Sequence, residues 1–410
     1  MGKRSHAEQP LPEWPESITG GKFVRMLEKQ VRGLRDSSAH GNRELFLDDV
    51  VVAQLLAFFN PTLRSLRTIE DFSQTRQAQR HLSVRRLCKS TLSDFHRVAD
   101  PTLLEPLIAR LHSLIAEQGG ATTPANLPQM LGKILAIDGS FFPVAAKVAW
   151  AVKHATNRGK KVASVRLDVH LNVANWLPEV VQVSGQGTSE ARAAAQTVQP
   201  GAIHIYDRGI FSFELLNAQV AADAFFVHRL REPGERTPRF VPEATRELTD
   251  EDRAAGVRSD TVGRLAGSAH RTPPAVLLRE VVIDSPGEPD GQIRLLTNLF
   301  DIEAHLIGLL YRNRWQVELF FRWLKCFANF AHLISESRQG VLLSFYVAVI
   351  GVLLMYAHSG HKPSKYAFSL LGMVASGSTT LEEIAPILAE RERRAALDRA
   401  SLARRKKRNS

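Results

Sequence analysis

From residue 133 to residue 227 short apolar runs alternate with short helical ones, and that alternation restricts the possible folds more than any other feature of the chain. Residues 133–137 (KILAI) run into Asp138, and residues 202–206 (AIHIY) run into Asp207. Between them, residues 164–171 (SVRLDVHL) alternate as a half-buried strand does, and residues 179–183 (EVVQV) are another strand candidate. Residues 189–198 read as a helix with a serine cap, residues 213–222 as a second helix, and residues 224–227 as a further strand. Strands separated by helices predict an α/β sheet. In open sheets of that class ligands gather beyond the strand ends, where Asp138 and Asp207 are expected. Taken alone, each aspartate means little, because aspartates commonly start turns, as Asp138-Gly139 and Asp207-Arg208-Gly209 could.

The flanks differ in character. Residues 48–59, 64–79, 82–98 and 101–116 have helical patterning, and residues 118–128 (QGGATTPANLP) read as a linker. This predicts an all-α N-terminal domain over 1–120, with the sheet domain beginning at about 130. Residues 229–292 turn polar and rich in Pro and Gly, with strand-like pieces at 275–283 and 293–299. A structureless connection that long is unusual, so a β-rich subdomain over 229–296 is expected to interrupt the sheet domain. That leaves 130–228 and 297–358 as the two parts of the sheet domain, and 359–410 as a helical basic tail. The apolar run 341–357 falls short of the roughly 20 residues a membrane span needs, so it is read as a buried helix.

The 410 residues carry a formal charge of +11, which suits a polyanionic partner such as nucleic acid. More than half of the excess lies in residues 388–410, which hold nine basic and three acidic residues and end in a run from Arg404 to Arg408. A solvated terminus and a DNA contact are both open there. Arg76, Arg80, Arg85, Arg86, Lys89 and Arg97 face a single acid, Asp94, within one helical stretch. This is either a surface for DNA phosphates or a solvated face. Cys88 and Cys326, the two cysteines, are too few and too distant for a disulfide framework or a zinc cluster, and fit a reducing compartment. The polar residues 1–20 do not form a signal peptide.

The sharpest local signal lies in residues 309–330, LLYRNRWQVELFFRWLKCFANF. Read as one helix, Tyr311, Arg314, Glu318 and Lys325 fall within about 60° of arc, with Arg322 beside them. Val317, Phe320, Leu324 and Phe327 form the apolar back. A salt-bridged surface is the ordinary fate of such charges. Here one acid is bunched with several cations and a tyrosine, which suits a carboxylate that holds a metal beside phosphate-binding groups. Three carboxylates would serve phosphodiester chemistry directly, because Mg²⁺ takes hard oxygen ligands, and paired ions about 4 Å apart activate the nucleophile and stabilise the leaving oxygen. Asp168 and His170 alternate onto one strand face, either behind the acids or toward solvent. Glu179 and Glu214 read as surface acids. Ser140 lacks the partners of a serine nucleophile.

The spacing Tyr311-x2-Arg314-x3-Glu318-x6-Lys325 resembles the signature of the insertion-sequence-four family of bacterial DDE transposases. Asp138 in LAIDGS resembles that family's first aspartate, and Asp207 in IYDRGIFSFELL its second. FVHRL, LLTNL and VELFFRWLK are similar to family text as well, and the likeness extends over about residues 134–355. The resemblance implies an RNase H-like catalytic domain with a β insertion. It also implies Mg²⁺ or Mn²⁺ as cofactor, and double-stranded DNA ends and target as substrates, in a homodimeric synaptic complex in the bacterial cytoplasm. Carried over residue by residue, Asp138, Asp207 and Glu318 would be the catalytic metal ligands. Tyr311, Arg314 and Lys325 would contact DNA phosphates. Arg208, Arg322, Lys153, Arg158, Lys160, Lys161, Arg85, Arg86 and Lys89 are further DNA-contact candidates from their charge and position. The chain departs from the pattern at Ile210, where an aromatic is usual, and in having no tryptophan within 229–300. A nuclease or resolvase of the same fold, without strand transfer, would use the same acids.

Overall fold

Strand β1 (Ile134–Pro143) sends Ile134 and Ala136 into one apolar core and Leu135 and Ile137 into another. The period of two therefore places β1 in the middle of a sheet covered on both faces. The computed structural model describes residues 25, 27–37, 45–60, 63, 65–117, 132–143, 152–155, 161–184, 187–231, 238–267, 272–327, 334–359 and separate positions between 370 and 397.

Beyond β1 the strands are β2 (Val152–Ala155), β3 (Lys161–Asn172), β4 (Leu177–Ser184), β5 (Ile203–Tyr206) and β6 (Phe225–Leu230). They are followed by β7 (Phe240–Thr245), β8 (Val257–Leu265), β9 (Leu278–Asp284) and β10 (Gln292–Thr297). One sheet holds them in the order β2-β3-β1-β5-β6-β10-β9-β8-β7, with β4 also paired to β3. β1 runs antiparallel to β3 and parallel to β5, and β5 runs parallel to β6. Strands 240–297 were expected as an inserted subdomain. They are β-rich, but they extend the same sheet, because β10 pairs with β6 along its exposed edge. A free edge of backbone donors and acceptors is satisfied most directly in that way.

The described helices are α1 (Glu28–Gly33), α2 (Leu47–Phe59), α3 (Leu66–Ser73), α4 (Arg76–Gln79), α5 (Lys89–Val98) and α6 (Glu105–Glu117) before the sheet. Within and after it come α7 (Glu190–Ala195), α8 (Phe213–Ala221), α9 (Asp250–Ala254), α10 (Ala304–Arg312), α11 (Trp315–Phe327) and α12 (Arg338–Ser359). The expected helix over 82–98 begins only at Lys89, and 64–79 is split between α3 and α4. Two side-chain caps account for the split: Ser65 closes a capping box on α3 and Thr75 starts α4. Arg76 to Arg97 is therefore not one basic helix.

The apolar run over 341–357 forms most of α12 and is buried; among the described residues no helix is long and apolar enough to cross a membrane. α12 packs against α2, α5, α6 and α11, so the N-terminal helices share a core with one face of the sheet. α7 and α8 belong to the core on the other face. At the β3–β4 turn Trp176 is fully buried with φ of 61°, a conformation bulky residues rarely adopt. Its ring centroid lies 5.3 Å from that of Phe320, so the turn is fixed against α11.

On the α7 and α8 face a row of buried rings crosses the sheet: His170, His204, Tyr206 and His228. His228 and Tyr206 stack with centroids 4.5 Å apart. Burial holds the proton affinity of His170 and His228 down to about 3, and lowers that of His204. The unfolded chain takes up protons below its ordinary histidine value of 6.5, and the folded chain does not, so stability falls as pH drops from about 6.5 toward 4. Asp138 and Glu190, whose proton affinities are raised, act in the opposite direction. The melting temperature should fall between pH 7 and pH 5, more steeply in Asp138→Asn. A flat profile in that variant would remove the histidine row as an acid-sensitive element.

Candidate active site

The centre is made by a difference in strand length. The parallel pairing of β1 with β5 ends at Ile137 opposite Tyr206. β1 continues for six more residues against β3, to Pro143 opposite Ser164. Asp138 is thus the first β1 residue beyond the end of β5, and Asp207 follows β5 directly. The sequence placed Asp138 at the end of a strand; it lies inside one, paired with Val169, and the rim is supplied by its shorter neighbour. Asp138 has the parity of Ile134 and Ala136, and Asp207 that of Ile203 and Ile205. Both aspartates accordingly belong to the face whose core contains Val317, Phe320 and Leu324 of α11.

The tyrosine-to-lysine signature does not lie on a single helix. α10 stops at Asn313, whose amide side chain donates to the Leu309 carbonyl (2.8 Å) and accepts from Gln316 (2.9 Å). Glu318 is in the first turn of α11 and Lys325 in its last. The break turns Tyr311 inward. It is 8% exposed, and its hydroxyl donates to Asp207 Oδ1 at 3.1 Å. Arg314 donates to Glu318 Oε1 at 2.6 Å and also feels the charge of Asp207. Lys325 Nζ stands 5.4 Å from the centroid of the Phe142 ring. Partial burial lowers its proton affinity, while the charge of Asp138 acts the other way.

Asp138 is the least compensated acid. Among the described residues its one hydrogen bond comes from the Gly139 N–H at 2.9 Å, and no cation pairs with it. Burial pushes its proton affinity up to about 7; the Gly139 N–H and Arg314 oppose this, and the charges of Glu190 and Glu318 add to it. In this state Glu318 is engaged by Arg314 and Asp207 by Tyr311. Among the described residues no three acidic, histidine or cysteine side chains are drawn together tightly enough to clasp an ion. The donor set nonetheless fits a hard cation. It is all carboxylate oxygen, and among the described residues Asp138 has neither a counterion nor a full set of donors.

The other candidates are more dispersed. Arg208 is exposed beside Asp207, and its carbonyl accepts from Arg231 at 3.2 Å. Arg322 is exposed and stands over the Trp315 ring at 5.7 Å, away from the acids' hydrogen bonds. Arg86 pairs with Glu70 at 2.6 Å, while Arg85 and Lys89 are exposed at the start of α5. Lys153 and Lys161 are described in backbone alone, in β2 and β3; Arg158, Lys160 and the basic run 404–408 lie outside the described residues.

Near the acids, Arg229, Arg166 and Glu190 were not singled out in the sequence. Arg229, in β6, pairs with Glu288 at 2.6 Å, which brings the β9–β10 turn against the centre and near Tyr311. Arg166 and Asp168 form a buried bidentate pair on β3, with hydrogen bonds of 2.7 and 3.1 Å. Asp168 is therefore neither solvent-facing nor free. Glu190, first residue of α7, lies close to Gly139 and Gly209. Burial raises its proton affinity, Arg166 opposes this, and the charges of Asp168 and Asp207 add to it. The run FVHRL at the third parallel strand was the available signal for Arg229. The serine cap before Glu190 gave its helix but not its direction.

Residues 130–354, more than half of the chain, match the family described as "Transposase DDE domain". The chain is also similar to a Sinorhizobium fredii protein named as transposase y4zB, 27% identical over 220 residues, covering 53% of this chain and 59% of that one. It is similar to a Geobacillus stearothermophilus protein named as the transposase for insertion sequence element IS5377, 27% identical over 212 residues, covering 51% and 52%. The chain thus spans little more than half the length of either relative.

Proposed function

The chain belongs to the transposase DDE domain family, and from that premise we propose that it cuts and joins DNA at the terminal inverted repeats of a bacterial insertion sequence. Within the family we place it in the insertion-sequence-four branch, on the Tyr311, Arg314, Glu318 and Lys325 spacing. The observation that carries the reading is the arrangement at the sheet rim. Asp138 and Asp207 stand side by side where β5 ends, and α11 brings Glu318 over the same face.

Asp138, Asp207 and Glu318 would hold Mg²⁺ or Mn²⁺. Bound there, the metal would supply Lewis acidity at phosphate oxygens and lower the barrier to forming an oxygen nucleophile. The protein's own groups divide the remaining work. Tyr311, through its hydroxyl, fixes the rotamer of Asp207. Arg314 lies between Glu318 and Asp207, limiting the repulsion among the acids and presenting a guanidinium toward the phosphate. Lys325, on the Asp138 side, is a second positive charge for the DNA backbone. Arg208 and Arg322 flank this path, and Arg85, Arg86 and Lys89 offer charge for the element end. We read the active species as a homodimer holding two DNA ends in the bacterial cytoplasm.

The test is product analysis. Purified protein is given Mg²⁺, DNA carrying the inverted repeats that flank its own coding sequence, and a supercoiled target. Joined products are expected. Nicks without joining would replace this reading by the nuclease one, and no metal-dependent cleavage at all would remove both.

A further inference from the structure

Two glycines follow the two aspartates closely, Gly139 after Asp138 and Gly209 two residues after Asp207. They meet the same carboxylate. A Cβ placed on Gly139 would lie 3.1 Å from Glu190 Oε1, and one placed on Gly209 would lie 4.0 Å from Glu190 Oε2. The space beside Gly139 is shared with Asp168 Oδ1 and Arg166 Cδ, 2.7 and 3.0 Å from the same point, and Glu190 is the side chain that also reaches Gly209. It comes from α7, whose Ala191 and Ala194 pack into the core on the face opposite α11.

The placement is built rather than incidental. Arg166, 4% exposed, is locked to Asp168, and its remaining terminal nitrogen donates to the Thr188 carbonyl at 3.0 Å. Ser184, at the end of β4, donates to Asp168 as well. Ser189 caps α7 by accepting from the Arg192 N–H at 3.2 Å. The segment leading into Glu190 is thus tied to a buried ion pair and to a helix cap. The Glu190 carboxylate itself receives no hydrogen bond and no ion pair among the described residues, and its nearest cation, Arg166, is committed elsewhere. A half-buried carboxylate held among like charges without a partner is unfavourable in the protein alone. Its cost is offset once a cation enters.

We propose that Glu190 is a fourth carboxylate of the cation site, reaching Asp138 and Asp207 from the face of the sheet opposite Glu318. This rests on the reading of the centre as a metal-dependent DNA-cutting site. Glu190 gives the acid pair a ligand on each side, so that the ion's position is set across the sheet rim rather than from α11 alone.

The test uses the full chain, with Mn²⁺ alone as probe, followed by thermal stabilisation and by calorimetry. Glu190→Gln keeps the shape and removes the charge. It should raise the Mn²⁺ concentration for half-maximal stabilisation about tenfold or more, the usual cost of losing a group that supports a metal. Glu190→Asp should recover part of the loss. In metal-free buffer Glu190→Gln should melt at or above the wild-type temperature, because a repulsive charge is gone; a merely structural glutamate would lower it. Metal-free affinity for DNA should not fall. If Glu190→Gln bound Mn²⁺ as wild type does while Asp207→Asn lost it, Glu190 would lie outside the site and the family reading would stand. If Asp207→Asn also bound normally, the metal reading of the centre would itself be wrong.

Discussion

Glu318→Gln should lower metal-dependent DNA cleavage by roughly a thousandfold, equivalent to about 4 kcal/mol of barrier, while leaving DNA affinity within a few-fold of wild type. The substitution keeps the volume of the side chain and removes its charge at the start of α11. Arg314 exchanges its carboxylate partner at 2.6 Å for a neutral amide oxygen and keeps the field of Asp207, so the guanidinium stays at the centre. The apolar back of α11, with Val317, Phe320 and Leu324 fully buried, is untouched, so the fold should survive. Single-turnover cleavage of labelled end DNA, with binding measured in parallel at fixed salt, separates the two effects. Normal cleavage by the variant would remove Glu318 from the chemistry. Equal loss of cleavage and binding would make it a DNA contact instead.

Arg279→Ala should destabilise the chain by about 3–5 kcal/mol, as expected when one member of a buried ion pair is removed. Arg279 on β9 is 1% exposed and donates to both oxygens of Asp260 on β8, at 2.8 and 2.6 Å. The same guanidinium reaches the carbonyls of Leu299 and Ile302, at 2.8 and 2.7 Å. Its loss leaves Asp260 buried with Arg246, at 3.6 Å, as its one remaining cation among the described residues, and frees two carbonyls in the connection to α10. Urea unfolding reads the stability change. Arg279→Met with Asp260→Leu should recover much of it, because no unpaired charge remains. Since α10 carries Tyr311, cleavage by Arg279→Ala should fall further than its folded fraction does. Unchanged stability would mean that the pair is solvated.

These cases show where the sequence was informative. Glu318 stood out because its acid, cations and apolar back all lie within one local period, and local period is what a sequence displays. Asp138 and Asp207 were legible as ends of apolar runs, but the rim between them was not. It depends on β1 pairing with β3 through Gly139, Ser140 and Pro143, residues whose local preferences do not favour a strand. Of the strands after residue 240, β9 and β10 were recognisable in the pieces at 275–283 and 293–299, whereas β7 and β8 were not, and the attachment of all four to β6 through β10 is a non-local pairing. Glu190 was invisible for a different reason: it is placed by the Arg166 contact to Thr188 and by two glycines distant in sequence, which only the fold brings beside it.

The unequal lengths of β1 and β5 make the acid pair a matter of reading frame. Backbone hydrogen bonds, not side-chain fit, set how far Asp138 stands from Asp207, and those bonds advance in whole residues. A single residue gained or lost between 203 and 206 would carry Asp207 to the opposite side of the sheet, toward α8 and away from Glu318. The spacing of the two aspartates is therefore quantised, and drift in this centre has to proceed through side-chain exchange, because the frame itself has no intermediate setting.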